Sequence, residues 1–346
     1  MAAKTDRVAL VTGASSGIGE AAARALVGAG FTVYGTSRRA TAGETRGEVV
    51  FLPLDVTDEE SVMAVQTGRV GLVTGASSGI GEAAAHALIA AGFTVYGTSR
   101  KATAGEKRDG VVFLPLDVTD DQSVAGAVRA VLDRSGRIDV LVNNAGIGSS
   151  GASEESSVAQ DRIVFDVNVF GLIRMTKAVL PHMRGQKEGR VINMSSVGGF
   201  APQPFMASYV ASKHAVEGYS ESVDHEVREH GVRVVLVEPF NTSTGFDASV
   251  VRGQNPLPIY ERGRHTFEAI LAEGMKTRDD PAVIAKVIVA AATDPKPKLR
   301  YPAGSGARRI SMLRRLVPAR IFDKQIRKIN QLNGPVRAAA EERVRP

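Results

Sequence analysis

Two stretches of this chain are close to being the same stretch. Residues 8–63 align with residues 70–125 at a constant offset of 62, with 45 identities in 56 positions. Both copies carry V-x-L-V-T-G-A-S-S-G-I-G-E-A-A-A, then G-F-T-V-Y-G-T-S-R, then F-L-P-L-D-V-T-D. Even the lead-in repeats, Thr5-Asp6-Arg7-Val8 against Thr67-Gly68-Arg69-Val70. Two copies do not make a solenoid, and each reads as strand, glycine-rich turn, helix, strand, loop, strand. Short apolar β-branched runs alternating with helices point to a parallel sheet covered on both faces. The expected fold is α/β, a doubly wound parallel sheet with helices on both faces, plus a duplicated N-terminal βαβ segment.

Only the second copy continues properly. Asp120 is placed to cap a helix through Leu132, and Ile138-Asp139-Val140-Leu141-Val142 comes next as a strand. The first copy breaks off at Met63-Ala64-Val65-Gln66 and re-enters the first strand of the second. Contiguity therefore divides the chain into a surplus βαβ segment (1–69), a complete domain (70–306) and a basic amphipathic helical tail (307–346). The competing reading is that the first copy inserts into the sheet and displaces the second. Further on, a long helix is expected over Gln160–Met183, strands over Arg190–Met194 and Val232–Val237, and a helix from Tyr209 to about His230. Residues Pro239 to Asp280 have loop composition with one helix near Thr266–Met275, which suits a substrate lid after a strand's carboxyl end. Pro281 opens a helix through Ala292, and Leu299–Pro302 reads as a last strand.

Two segments carry chemistry. Gly75-Ala76-Ser77-Ser78-Gly79-Ile80-Gly81 comes after a strand and opens a helix, the context of a dinucleotide loop. The glycines let the backbone approach a pyrophosphate, and the helix N-terminus presents free N–H groups to it. Downstream of Ser196 stand Tyr209 and Lys213, which are four apart and so share one helix face. A free phenol titrates near 10, and a neighbouring ammonium favours its ionised form. A phenol tuned in this way can pass a proton to or from a substrate oxygen that a serine hydroxyl holds. Taken alone, a Y-x-x-x-K pair on a surface helix is common.

Together these motifs are specific. S-(x)12-Y-x-x-x-K, preceded by T-G-x-x-x-G-x-G and N-N-A-G in that order, resembles the short-chain dehydrogenase/reductase family from about Val70 to the strand near Tyr301. The resemblance implies a Rossmann-type fold and a hydride-transferring oxidoreductase that interconverts a carbonyl and an alcohol. It implies that Asp117 and Val118 contact the adenine, and that Asn144, Ala145 and Gly146 lie along the cofactor. It implies that Asn168, Ser196, Tyr209 and Lys213 are catalytic, with Tyr209 and Lys213 also against the cofactor. Pro239 and Thr244 match the segment beside the nicotinamide, but Phe240 stands where the family often has glycine, which puts Thr244 in doubt. After the second strand comes Thr98-Ser99-Arg100-Lys101 with no acid, where an NAD enzyme usually has Asp or Glu. Ser99 and Arg100 can hold a phosphate, so NADP(H) is expected over NAD(H); a solvated Arg-Lys pair is the alternative.

Composition sets the remaining bounds. There are no cysteines, which rules out disulfides and cysteine nucleophiles, and no His/Asp/Glu cluster at ligand spacing suggests a metal. No apolar run approaches the roughly 18 residues that span a bilayer. The sequence runs from Met1 straight into a strand without a signal-like apolar stretch, so a cytoplasmic location is expected. The net charge of +6 is uneven: residues 295–346 hold 14 Lys/Arg against 3 Asp/Glu. The tail has apolar residues at Ile310, Leu313, Val317, Phe322, Ile326 and Ile329, broken by Pro318. It reads as a helix packing on the body or a second subunit, in preference to one lying on an anionic membrane. No nucleic-acid motif accompanies that charge. The expected partners are a small lipophilic carbonyl or alcohol substrate, given lid residues Phe246, Val250, Leu257, Ile259, Tyr260, Phe267 and Leu271, and further copies of the chain in a homo-oligomer. The alternative function is a non-catalytic NADP(H)-binding or scaffold protein.

Overall fold

The computed structural model describes residues 8–40, 44–57, 68–243, 249–275 and 278–332. The chain divides, in the main, at Arg69. The first copy forms a sheet of its own from β1 (Val8–Val11), β2 (Thr32–Ser37), β3 (Thr45–Arg46) and β4 (Val49–Pro53), in the order β1-β2-β4-β3, with helix α1 (Gly17–Gly28). Its core is five small or medium side chains, Ala14, Ala23, Val33, Ala40 and Val49, around one large one, Phe51. β1 pairs with β2 alone, and Val8 and Leu10 remain 64% and 49% exposed. The junction segment 58–67, with Met63–Gln66, lies outside the described residues.

The same sequence has a different fate from Val70 onward. Strands β5 (Val70–Val73), β6 (Thr94–Ser99), β7 (Lys107–Arg108), β8 (Val111–Pro115), β9 (Val140–Asn143), β11 (Gly189–Met194), β12 (Val232–Pro239) and β14 (Arg300–Ala303) form an eight-stranded sheet. Its order is β14-β12-β11-β9-β5-β6-β8-β7. All eight come from the second copy and from the chain downstream of it, so the reading in which the first copy displaces the second is not the arrangement of the sheet. β5 lies between β6 and β9, and all four of its residues are buried. The order runs one way through β6 and β8 and the other way through β9, β11 and β12. The carboxyl ends of β5 and β9 therefore flank the switch point where α/β sheets bind ligands.

Local sequence explains the helices. The Asp120 carboxylate accepts the Ser123 N–H at 2.6 Å to start α3 (Asp121–Ser135), and Gly136 ends it at φ 68°. Asp280 caps α8 (Pro281–Thr293). Helix α2 (Gly79–Ala90) packs with α8 on one face of the sheet. On the other, α3, α5 (Leu172–Gln186) and α6 (Ala207–Val227) share a core that includes Leu141, Met175, Val179, Val191, Val223 and Val234.

Two expectations are corrected. The helix expected over Gln160–Met183 is α4 (Val158–Phe165), a π-helical turn (Asp166–Gly171) and α5. The wide turn carries Asn168 to the Ile147 backbone, and Gly171 passes Val118 so closely that a Cβ would lie 2.7 Å from its Cγ2. The lid helix α7 spans Pro258–Met275, starting well before Thr266, because Pro258 at its first position is compatible with a helix and not a break. Short strands β10 (Gly148–Ser150) and β13 (Val250–Arg252) pair in parallel and tie the lid to the body. The tail packs on the body, one of the two placements expected for it. Helices α9 (Ser305–Leu316) and α10 (Ala319–Ile329), parted at Pro318, set Ala307, Ile310, Val317, Phe322 and Ile326 against Val197, Phe200 and Ala201. Residues 333–346 lie outside the described residues.

Candidate active site

The glycine-rich loop leaves β5 with Gly75 and Gly79 at φ 65° and 60°. Gly81 admits no side chain: a Cβ there would lie 2.2 Å from the Gly75 carbonyl oxygen and 2.5 Å from Asn144 Nδ2. No side chain caps α2 at Ser78, so its first N–H groups face the concave loop. The loop is pinned to the end of β9. Asn144 Nδ2 donates to the Thr74 and Gly75 carbonyls at 2.9 and 3.1 Å, and Thr74 Oγ1 accepts the Asn144 and Ala145 N–H groups, both at 2.9 Å. Sequence reasoning does not single out Thr74, though it stands in the T-G-x-x-x-G-x-G motif.

Past β6, Ser99 Oγ accepts the Lys101 N–H at 3.3 Å, and Arg100 is exposed. The Asp117 carboxylate accepts from the Thr119 hydroxyl and N–H at 2.7 and 2.9 Å, which holds it below the usual carboxylate range; Arg100 adds to that pull from a distance. Val118 is buried beneath Gly171. Pro239 closes β12, while Thr244 and the lid residue Phe246 lie outside the described residues.

The four remaining residues converge from three elements. Ser196 leaves β11 in extended backbone, and its hydroxyl accepts the Gly198 N–H at 3.1 Å and hydrogen-bonds the Tyr209 phenol. On α6, Lys213 Nζ donates to the Met194 carbonyl at 2.8 Å and stands 5.7 Å from the Tyr209 ring centroid. Asn168 is buried; it accepts the Ile147 N–H at 2.8 Å and donates to the Ile147 carbonyl and Ser212 Oγ at 2.9 and 3.0 Å. Ser212 in turn donates to the Tyr209 carbonyl at 2.6 Å, and Ser149 Oγ accepts the Tyr209 N–H at 3.0 Å. Sequence spacing alone does not mark Ser149 or Ser212.

The electrostatics correct one expectation, that the ammonium lowers the phenol. Burial instead pushes Tyr209 above its ordinary value, opposed by the Ser196 hydrogen bond. Lys213 aims its Nζ at a backbone carbonyl, and burial lowers its own pKa to about 8. One turn beyond Lys213, buried Glu217 belongs to a cluster that the sequence does not reveal. Arg300 donates to Glu217, to Glu238 at 2.6 Å and to Glu221 at 2.7 Å. Burial, then repulsion from Glu238, raises Glu217 to about 7. A carboxyl raised in the fold adds stability in full below its ordinary value and loses it as pH rises through about 7. Glu217→Gln, which keeps the neutral shape, should therefore lose less stability than the wild type between pH 5 and 8, a difference of about a few degrees in Tm. Parallel pH slopes in thermal melts would show that Glu217 does not titrate there.

The lid is latched by a buried carboxylate. Glu155 accepts the Leu257 N–H at 2.8 Å, the Ala152 N–H at 2.9 Å and a guanidinium N–H of Arg264, joining the turn after β10 to α7. Phe267 of α7 is buried against Phe205, with ring centroids 5.7 Å apart, just ahead of the helix that bears Tyr209.

Comparisons with known proteins identify the family. The family model described as short chain dehydrogenase matches twice, over residues 7–68 and again over 69–255. A 3-ketodihydrosphingosine reductase of Bacteroides thetaiotaomicron is 45% identical over 226 residues, 64% of this chain and 83% of that protein. A short-chain dehydrogenase from Streptomyces avermitilis superposes with a TM-score of 0.66 at 35% identity, covering 77% of this chain and 98% of that one. Another, from Burkholderia cenocepacia in complex with NADP, has a TM-score of 0.59 at 26% identity, covering 74% and 97%. With the doubly wound sheet, the glycine loop at its switch point and these relatives, the chain belongs to the short-chain dehydrogenases, oxidoreductases acting on CH–OH and C=O groups.

Proposed function

We propose that the protein interconverts a lipophilic ketone or aldehyde and its alcohol with NADP(H), using Tyr209 as the acid/base. The observation that carries this reading is the convergence of the Ser196 hydroxyl and the Tyr209 phenol, with Lys213 on the next turn of the same helix. The residues fit a dinucleotide: Gly81 leaves room for nothing but backbone, and the uncapped start of α2 faces the loop. When bound, the nicotinamide supplies the hydride. Asn144, Ala145 and Gly146 would line its path, and Ser99 and Arg100 would hold the 2′-phosphate, since no acid stands there to reject it. In reduction, Ser196 and Tyr209 hold the carbonyl oxygen and Tyr209 gives it a proton. A phenol raised by burial stays protonated at neutral pH, which suits it as that donor. Lys213, one turn on, would stabilise negative charge as it develops on the phenol, while Asn168 holds Ser212, which holds the Tyr209 backbone carbonyl.

The Phe205–Phe267 pair beside the helix start favours an apolar substrate, and the relative named for 3-ketodihydrosphingosine acts on a ketone. The test is oxidation of NADPH and NADH across ketones of increasing alkyl length. Turnover should rise with chain length and favour NADPH; no turnover on any carbonyl would sink the catalytic reading and leave a cofactor-binding protein. Within it, Arg100→Ala should weaken NADPH on the order of tenfold or more, the loss of one charge-assisted contact, and leave NADH nearly unchanged. Equal rises in both Kd values would mean that Arg100 does not read the phosphate.

A further inference from the structure

The inner stripe of α9 is settled by its contacts. Ala307, Ile310 and Val317 join the cluster on Val197 and Ala201, while Arg314 donates to the Phe200 carbonyl at 3.1 Å and lies 5.1 Å from the Phe322 ring. Helical geometry then turns Arg308, Arg309, Met312, Arg315 and Leu316 outward. Met312 and Leu316 are 59% and 75% exposed at the middle of that face. Arginines flank them on both sides, and a shallow cleft of about 350 Å³ between Pro302 and α9 is lined by Arg308, Arg315 and the same two apolar side chains. Helix α10, packed inward through Phe322 and Ile326, likewise exposes Arg320, Ile321, Lys324 and Lys328. Across α9 and α10 the one acid is Asp323. None of Arg308, Arg309, Arg315, Arg320, Lys324 and Lys328 forms an ion pair at contact distance among the described residues.

We propose that the outer face of α9 and α10 docks this enzyme on anionic lipid bilayers. The proposal does not depend on the substrate or cofactor assigned above. The pattern selects the partner. Cations alone would suit any polyanion, but large aliphatic side chains exposed at the centre of a basic face gain nothing from a phosphate backbone. At a bilayer they enter the acyl boundary while the guanidinium groups stay with the headgroups. No helix among the described residues is long and apolar enough to cross a membrane, so the contact is a surface one. It would set the Ser196 turn, on which both helices pack, close to the bilayer.

The full chain should sediment with vesicles of phosphatidylcholine containing phosphatidylserine, less with phosphatidylcholine alone, and be released by high salt. Basic residues near an anionic surface are worth roughly fivefold each in partitioning, so Arg308→Gln/Arg309→Gln/Arg315→Gln should weaken binding on the order of a hundredfold. Met312→Ser/Leu316→Ser, which keeps every charge, should also lose it. The substituted side chains point outward, so both variants should keep the wild-type thermal melt. Four results would overturn the proposal: wild-type protein left in the supernatant, equal binding to neutral vesicles, variants that bind like the wild type, or duplex DNA competing the protein off at matched charge. A wild-type dimer that Met312→Ser/Leu316→Ser makes monomeric, with no vesicle binding by either, would assign the face to a second copy instead.

Discussion

Tyr209→Phe should reduce a ketone at least about a hundredfold more slowly than the wild-type chain while binding NADPH nearly as well. The substitution removes one oxygen. The ring keeps its place, because Ser149 holds the Tyr209 N–H, Ser212 holds its carbonyl, and neither contact uses the phenol. Lys213 keeps its bond to the Met194 carbonyl. The variant loses the proton donor and one of the two hydroxyls that would hold the substrate oxygen. The loss should therefore fall on kcat, with KM changing little. Single-turnover reduction and a separate NADPH titration distinguish this from damage to the cofactor site. Wild-type kcat in the variant would overturn the assignment of Tyr209, whereas a lost NADPH site would shift the test of the chemistry to Ser196→Ala.

How far the sequence leads depends on the distance over which each contact acts. Tyr209 and Lys213 are readable because helix geometry puts residues four apart on one face. The glycine loop is readable because a turn, a close approach and a helix start succeed one another within a few residues. The caps at Asp120 and Asp280 are local as well. The cluster behind Lys213 is not readable, since Arg300 reaches Glu217 and Glu238 across 83 and 62 residues. Nothing in a single sequence marks which distant charges will be buried together. The phenol's pKa escapes for the same reason. The ammonium is visible as a neighbour, but the desolvation that raises the phenol depends on packing. The π-turn at Asn168 hides inside a plausible helix, because widening a turn by one residue leaves the apolar periodicity of its flanks almost intact. The tail's inner stripe is visible as helical spacing, yet only the fold shows that it lands on the turn after Ser196.

Gly81→Ala should weaken NADPH binding by about a hundredfold to a thousandfold, and Gly19→Ala, the same change in the first copy, should leave it alone. Both glycines sit where a Cβ would strike backbone, 2.2 Å from the Gly75 oxygen in one case and 2.4 Å from the Gly13 oxygen in the other. The local injury is thus matched. It moves the loop away from a pyrophosphate and costs about two charge-assisted hydrogen bonds, each about 1.5–2 kcal/mol. The surroundings are not matched. Gly81 lies against Asn144, at the end of a strand that β5 pairs with, and the site residues approach from β11 and α6. The first copy's own sheet ends at β1, with no strand among the described residues in the place that β9 takes beside β5. Half a pocket offers a pyrophosphate contact but no nicotinamide contact. The full chain should accordingly titrate one NADPH, and a chain shortened to start at Arg69 should titrate one as well, with the same turnover. Calorimetric titration of the two glycine variants and the shortened chain decides the matter. If Gly19→Ala also loses NADPH, or the full chain takes up two, the first copy is part of the working enzyme. If Gly19→Ala alone loses it, the copies exchange roles and the division at residue 69 is reversed.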